Sequence, residues 1–240
     1  MSTDSDMPLS AHLLELRKRL LRFIIILGIA FIAGIPFNEY IYTYLSNPLI
    51  ASLPSDGKLI ATQVTSPVLV PIKTTFYAAL LFCMPMFFIE IWGFLKPGLY
   101  AHEKQLALPI IISTTILFFV GVCFGFYIAT PVIFNFIHAF SPDNIFIMTD
   151  IGNYLSFMLK LLFAFGIAFE MPVLVNLLVR TGTMSKARLR ELRPYLVVLF
   201  FVIGMLLTPP DMFSQLFLAL PMWLLFELGL LLSKEKNLNS

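Results

Sequence analysis

The residue most out of place in this 240-residue chain is Glu170, a carboxyl group inside a long apolar stretch. Pro172 follows it, so a helix through this stretch is weakened beside the carboxyl group, because proline donates no backbone hydrogen bond. A charged side chain at the centre of a membrane helix costs about 2.5–3.5 kcal/mol on insertion scales. We therefore expect Glu170 to face protein or trapped water and to have a functional role. The alternative is a purely structural role, in which it forms a hydrogen bond to a neighbouring helix.

Two further carboxylates, Glu15 and Glu103, lie among basic residues. Each has a structural explanation, since Glu15 can pair with Arg19 one helical turn later and Glu103 can stabilise the N-terminus of a helix. Glu15 also belongs to an amphipathic segment whose leucines share one side, as in an interfacial helix: Leu9, Leu13, Leu16 and Leu20. Together, the two carboxylates could instead form an anionic site for a basic ligand beside an apolar wall.

Another polar residue, Asp211, occupies a tight turn between the last two apolar runs. Asp211 ends the turn Thr208-Pro209-Pro210-Asp211, and Gln215 lies one turn into the helix that follows. A helix cap is the simplest role for Asp211, because its carboxylate can accept hydrogen bonds from the first backbone amides of that helix.

Residues for catalysis or metal binding do not gather in any known pattern. The three histidines, His12, His102 and His138, are scattered, and the chain has neither a nucleophile elbow nor a phosphate-binding loop. We therefore expect no enzymatic activity, no metal, no cofactor and no nucleotide hydrolysis.

The elements that position these residues follow from composition. Apolar residues make up 59% of the chain and charged residues only 12%, which excludes a soluble enzyme, a disordered tail and a nucleic-acid-binding protein. Cys83 and Cys123 both lie in apolar runs, so no disulfide framework is indicated. The pattern predicts an all-α polytopic membrane protein, with residues 1–240 forming a single integral membrane domain. Six spans are predicted, at residues 20–36, 71–95, 106–136, 154–178, 195–208 and 213–232.

The lengths of these runs predict a bent shape. The fifth run, held between Pro194 and Pro209, has 14 residues and reaches only about 21 Å as a helix, against a membrane core of about 30 Å. The third run is long enough to require a tilt, a projection, or a kink near Pro109 or Pro131. We expect a cupped protein with short fifth and sixth helices, and no cleavable signal peptide.

The basic residues predict the orientation. Thirteen of the 16 Lys and Arg residues fall on one side of the predicted spans, so the positive-inside rule places both termini in the cytoplasm. Glu90 and Glu227 lie near the cytoplasmic ends of their spans, and snorkelling of the side chain to the interface explains both.

Four motifs in register resemble the TatC family, the multispanning receptor subunits of twin-arginine protein translocases, and the enterobacterial type in particular. They are HLLELRKR at 12–19, FLKPGLYAHE at 94–103, FGIAFEMP at 165–172 and LTPPDMFSQ at 207–215. The resemblance implies a cupped, six-helix protein of the bacterial cytoplasmic (inner) membrane with both termini inside. It implies binding of signal peptides with consecutive arginines, and export of folded proteins driven by the proton-motive force.

The resemblance also implies partners and residue roles. The partners are TatA-type and TatB-type single-span subunits that contact the fifth and sixth helices, the cargo signal peptide, the lipid bilayer and further copies of the chain, with no nucleic acid. Glu15 and Glu103 match the acidic groups that receive the twin arginines. The remaining matches are the cytoplasmic-patch residues Arg17, Arg19 and Phe94, the intramembrane acid Glu170, and the external-turn residues Asp211 and Gln215.

One position departs from the family pattern. Glu90 stands where many members carry Gln, and the extra carboxyl group could add to the peptide site or merely snorkel. A rival function from another class is a proton-coupled small-solute carrier with Glu170 as the proton carrier. The lack of an internal repeat in the sequence argues against such a carrier.

Overall fold

The computed structural model describes residues 9–52, 59–95, 107–139, 148–207 and 212–233, and these residues are almost entirely helical. They fall into two compact units. The first takes its described residues from Met1–Tyr42 and Pro71–Thr115, and the second from Thr43–Val70 and Ile116–Ser240. The expected all-α class is thus confirmed, while the assignment of residues 1–240 to a single membrane domain stays a prediction.

The helices and strands are as follows. The elements are α1 Leu9–Gly34, α2 Asn38–Ser52, β1 Leu59–Ile60, α3 Ser66–Leu95, α4 Ala107–Phe124, α5 Thr130–Ala139, β2 Thr149–Asp150, α6 Ile151–Ala168, α7 Met171–Arg180, α8 Lys186–Glu191, α9 Arg193–Leu207 and α10 Met212–Leu232. A 3₁₀ turn at Ile35–Phe37 joins α1 to α2, and a π-helical turn at Gly125–Ala129 joins α4 to α5. The sequence patterns did not predict α2, α8 or the two short strands.

Five stretches of the described chain are long and apolar enough to cross a membrane. They are Leu13–Pro48, Ser66–Phe94, Leu108–Phe136, Ile151–Arg180 and Gln215–Leu232. The predicted fifth run corresponds to Arg193–Leu207, an apolar helix of only 15 residues. The expected short fifth helix is therefore present, but the expectation of a short sixth helix was wrong, because α10 has 21 residues and includes a candidate span. The count of six spans is not confirmed, and neither is the orientation of the termini.

In the first unit, α1 packs against α3 through aromatic side chains. The ring of Phe23 lies 5.1 Å from that of Phe87, and the ring of Phe31 lies 5.6 Å from that of Phe76. Because the positions rise along one helix as they fall along the other, the two helices run antiparallel. The opposite side of α1 exposes large apolar residues such as Ile25 and Ile29, as a membrane-facing helix requires.

The core of the second unit lies among α5, α6, α7, α9 and α10. Its largest fully buried side chains are aromatic and aliphatic, among them Leu161, Phe165, Phe200, Leu218 and Phe226. Glycines allow two helix pairs to approach closely. A Cβ atom at position 121 would overlap the backbone carbonyl of Phe165, and one at position 229 would lie 2.9 Å from Pro172 Cα. The glycine pair Gly121 and Gly125 therefore packs α4 and its π-turn against α6.

The two interruptions of long helices precede prolines. The π-helical turn ends directly before Thr130 and Pro131, close to one of the two predicted kink positions. The Thr130 hydroxyl donates to the Gly125 carbonyl at 2.7 Å, so a side chain satisfies a backbone group in the irregular turn. The second interruption is at Phe169 and Glu170, between α6 and α7, where Pro172 begins the new helix.

A carboxylate at the start of α6 fixes the adjoining loop. Asp150 accepts hydrogen bonds from the hydroxyl and the backbone amide of Thr62 at 2.6 and 3.0 Å, and it caps α6 by accepting from Asn153 N at 2.8 Å. Beside this contact β1 and β2 pair in parallel. The Thr62 hydroxyl first, and then the backbone amides, lower the pKa of Asp150 from 3.8 to about 2.

Replacing Gly121 by alanine should destabilise the second unit by about 1–3 kcal/mol, the usual cost of an overpacked core contact. The new methyl group meets the backbone of Phe165, which no side-chain rotation can move away. Gly28→Ala is the matched control, because nothing lies within 4 Å of its Cβ position. Thermal unfolding of the purified protein in detergent measures both, and equal melting temperatures would contradict the proposed close packing.

Replacing Asp150 by alanine should lower the melting temperature at pH 6, where the wild-type carboxylate is ionised. Because the folded-state pKa lies below the ordinary value, the carboxylate stabilises the fold above about pH 4 and loses that effect as the pH falls towards 2. The difference between wild type and variant should therefore shrink over that interval. A pH-independent difference in melting temperature would show that ionisation of Asp150 contributes nothing.

Candidate functional site

An alternating cluster of two acids and two arginines connects α1 with α3. Arg19 donates from Nε and Nη2 to Glu15 Oε1 at 3.0 and 2.7 Å, and from Nη1 to Glu90 Oε2 at 3.1 Å. Arg22 donates from Nη1 to the other oxygen of Glu90 at 2.9 Å. The helical period places Glu15, Arg19 and Arg22 on neighbouring positions of one face of α1. We call these four residues the Arg19 cluster.

The members of the Arg19 cluster differ in exposure. The Glu90 side chain is only 5% exposed, whereas those of Arg19 and Glu15 are 24% and 26% exposed. Gly93, one turn after Glu90 on α3, provides the space for Arg19, because a Cβ atom there would overlap the guanidinium. Snorkelling was therefore the wrong interpretation of Glu90, since the carboxylate is buried and held by two arginines.

The pairing of Glu15 with Arg19, the simpler explanation of Glu15, is confirmed. This pairing also indicates which kind of ligand the site can bind. A carboxylate that receives two donors of one guanidinium, and that keeps a quarter of its surface exposed, has the geometry of an arginine acceptor. Leu13 and Leu16, which lie before and after Glu15 on α1, are 64% and 43% exposed, so an apolar surface adjoins the carboxylate.

The other residues predicted for this patch are only partly accounted for. Arg17 is exposed on α1, and Phe94 is half-buried near the end of α3. Glu103 lies outside the described residues, so the structure does not test whether it approaches Glu15. Asp211 likewise lies outside the described residues.

Glu170 occupies the break between α6 and α7. Its side chain makes no capping hydrogen bond to α7, although it stands at the N-cap position. Both carboxyl oxygens are buried, and no hydrogen-bond partner for them exists in the described part of the chain. The alternative of a structural hydrogen bond to a neighbouring helix is therefore not supported among those residues, and an unpartnered carboxyl remains at the point where the helix is interrupted.

Gln215 connects the two helices of the last hairpin. Its Nε2 atom donates to the Phe201 carbonyl on α9 at 2.7 Å, and a Cβ atom at Gly204 would lie 3.0 Å from its Cγ. Nearer the other end of α10, Glu227 accepts from Arg193 Nη2 at 2.5 Å. Glu227 thus forms an ion pair with Arg193 on the helix beside it, and snorkelling of its side chain stays a prediction.

Comparisons with known proteins agree on one family. The sequence model described as "Sec-independent protein translocase protein (TatC)" matches residues 11–221. The TatC protein of Azotobacter chroococcum mcd 1 is 49% identical over 227 residues, which cover 95% of this chain and 89% of that protein. The TatC protein of Escherichia coli K12 is 44% identical over 234 residues, which cover 98% and 91%.

The similarity extends to a solved fold. A structure described as the crystal structure of twin arginine translocase receptor TatC in DDM superposes with a TM-score of 0.86 at 33% sequence identity. The match covers 93% of this chain and 99% of that one. Sequence and backbone therefore agree over nearly the whole molecule.

Replacing Glu170 by methionine should raise the stability of the protein by about 1–3 kcal/mol, because it removes a buried polar group without a partner. Gln215→Met is the matched control and should cost about 1 kcal/mol, since it removes the hydrogen bond to Phe201. Thermal unfolding in detergent compares the two variants. A loss of stability in Glu170→Met as large as in Gln215→Met would mean that the carboxyl group has a protein partner.

Proposed function

Because this chain belongs to the TatC family of Sec-independent protein translocase proteins, we propose that it is the signal-peptide receptor of a twin-arginine translocase. The family is a component of a protein translocase and not a catalytic enzyme. The chain is accordingly a multi-span membrane protein of protein transport. The solved relatives are described as receptors, which supports the finer proposal of peptide binding.

The observation that carries the proposal is the guanidinium of Arg19 on Glu15. A carboxylate that accepts an internal arginine through two hydrogen bonds offers the same acceptor geometry to an arginine of a signal peptide. We propose that Glu15 and Glu103 each receive one arginine of the consecutive pair. A lysine ammonium cannot reproduce the planar fork of donors, so the site favours arginine over lysine.

The charges around Glu15 keep this binding reversible. At about 4 Å and an effective dielectric constant near 20, one guanidinium–carboxylate pair gains roughly 4 kcal/mol of Coulomb energy before desolvation. Arg17 and Lys18, both exposed on α1, oppose a cationic ligand and reduce that gain. The exposed leucines of α1 and the half-buried Phe94 supply apolar surface for the uncharged part of the peptide.

Further features of the mechanism are proposed from the family. The protein lies in the bacterial inner membrane with both termini in the cytoplasm, and the proton-motive force drives export of folded cargo. Glu170 provides a polar site for the inserted peptide within the membrane. TatA-type and TatB-type subunits bind along the hairpin of α9 and α10, near Asp211 and Gln215, and several copies of the chain associate. The rival function, a proton-coupled small-solute carrier, is not favoured by the family.

Photo-crosslinking of a signal peptide, with the probe beside its arginine pair, tests the receptor site in membranes. Arg-Arg peptides should crosslink near Glu15 and Glu103, and Lys-Lys peptides should crosslink far less. Glu103→Ala and Glu15→Ala should each reduce the Arg-Arg crosslink about tenfold or more, because an unpaired arginine loses a charge-assisted bond. Glu191→Ala is the control, since it removes an exposed carboxylate that pairs with Arg188 at 3.0 Å outside the Arg19 cluster.

Two results would contradict the proposed site. The first is equal labelling by Arg-Arg and Lys-Lys peptides that neither substitution changes. The second is normal export of folded cargo by the double variant Glu15→Ala, Glu103→Ala, with the variant present in the membrane at the wild-type level. Either result would make the two carboxylates structural.

A further inference from the structure

The guanidinium of Arg19 occupies the carboxylate that the proposed function assigns to a signal-peptide arginine. It does so with its Nε and Nη2 atoms, while Nη1 already bonds to Glu90. One guanidinium therefore bridges two carboxylates of unequal exposure. Glu15 is a quarter exposed and reachable by a ligand, whereas Glu90 is almost fully buried.

We propose that Arg19 is an internal competitor for the signal-peptide site, and that Glu90 is the positioning residue that retains Arg19 when a peptide arginine displaces it from Glu15. This inference rests on the proposed function, because it requires that Glu15 binds the peptide. It assigns a role to Glu90, which the proposed function leaves without one.

The geometry keeps the free-energy cost low when a peptide arginine replaces Arg19 at Glu15. When Arg19 leaves Glu15 its guanidinium remains bonded to Glu90, so no buried charge is left without a partner. Glu90 itself is held throughout by Arg22, whose Nη1 atom bonds to the oxygen that Arg19 does not use. Gly93 leaves the space beside α3 in which the guanidinium lies. A peptide arginine thus replaces two hydrogen bonds at Glu15 by two of the same kind.

Competition predicts a distinctive binding pattern. An internal ligand that must be displaced weakens every cationic ligand of Glu15 by the same factor, and it leaves the ratio between ligands unchanged. The dissociation constants of weakly binding cations then become too high for binding at their working concentrations, although the site has gained no contact that excludes them. Removal of the Glu90 carboxylate makes Arg19 a stronger competitor for Glu15. Glu15 is then the one carboxylate of the Arg19 cluster that can still bind the Arg19 guanidinium.

The test measures the dissociation constants of labelled Arg-Arg and Lys-Lys peptides for the full chain in lipid nanodiscs. Glu90→Gln should weaken Arg-Arg binding about fivefold to tenfold, and Arg19→Gln should strengthen it by a similar factor. In the double variant the affinity should match that of Arg19→Gln within about twofold, since Glu90 acts only through Arg19. The Arg-Arg to Lys-Lys affinity ratio should be unchanged in Arg19→Gln.

Controls separate this effect from a loss of folding. Glu227→Gln breaks an ion pair with Arg193 by the same chemical change and should leave the affinity unchanged. Melting temperatures of all variants accompany the binding data. The melting temperature of Glu90→Gln itself shows whether that protein is folded, because Arg19→Gln could otherwise restore a fold that Glu90→Gln had lost.

Several outcomes would overturn the inference. A loss of affinity from Glu90→Gln that persists in the Arg19→Gln background would mean that Glu90 contacts the peptide or supports the fold. Weaker binding in Arg19→Gln, or a changed Arg-Arg to Lys-Lys ratio, would make Arg19 part of the recognition surface. Failure of the proposed function has a different signature, because Glu15→Gln would then leave peptide binding unaffected.

Discussion

The cost of an unpaired polar group in apolar surroundings is the constraint on which this structure depends. Within the described chain, most buried polar side chains have a partner, and the buried polar atoms without one belong to Glu170, Asn176 and Arg193. Glu90 has two arginines, Gln215 has a backbone carbonyl of the adjacent helix, and Thr130 bonds to the carbonyl of an irregular turn. Each of these partnerships also fixes two segments to each other. Polar groups therefore specify the contacts, while apolar burial supplies the bulk of the packing.

Glu170 is an exception to this pattern, and its position in the fold indicates why. The carboxyl group lies at the break between α6 and α7, where backbone hydrogen bonding is already interrupted ahead of Pro172. An ionisable group that is buried within a membrane helix without a partner is a functional hypothesis, because its energetic cost is not offset within the fold. Glu170 therefore reduces stability at the break between α6 and α7, where the proposed signal-peptide ligand would supply the missing interaction.

Sequence patterns predicted the features that depend on local chemistry. The prolines at 194 and 209 predicted a short fifth helix, and the motif around Pro172 predicted a weakened helix at Glu170. The pairing of Arg19 with Glu90 was not predictable, because 71 positions separate the two residues and snorkelling was the simpler explanation. Helix α2 was missed because its two asparagines and its proline are typical of turns and loops. Residue chemistry indicated an anionic site or a helix N-terminus for Glu103 and a helix cap for Asp211, and the motif resemblance implied their roles in transport.

Reversibility follows from the charge balance of the Arg19 cluster. Two carboxylates and two guanidiniums are already neutral together, so an arriving cation finds no excess of negative charge among these four residues. Such a ligand gains little from long-range attraction, and its affinity must come from the quality of the hydrogen bonds that it forms. Geometry therefore decides which cation binds, while neutrality limits how tightly it binds. Under the proposed function the receptor must release each peptide to the next step of transport; both properties would serve that release, and a strongly acidic pocket would provide neither.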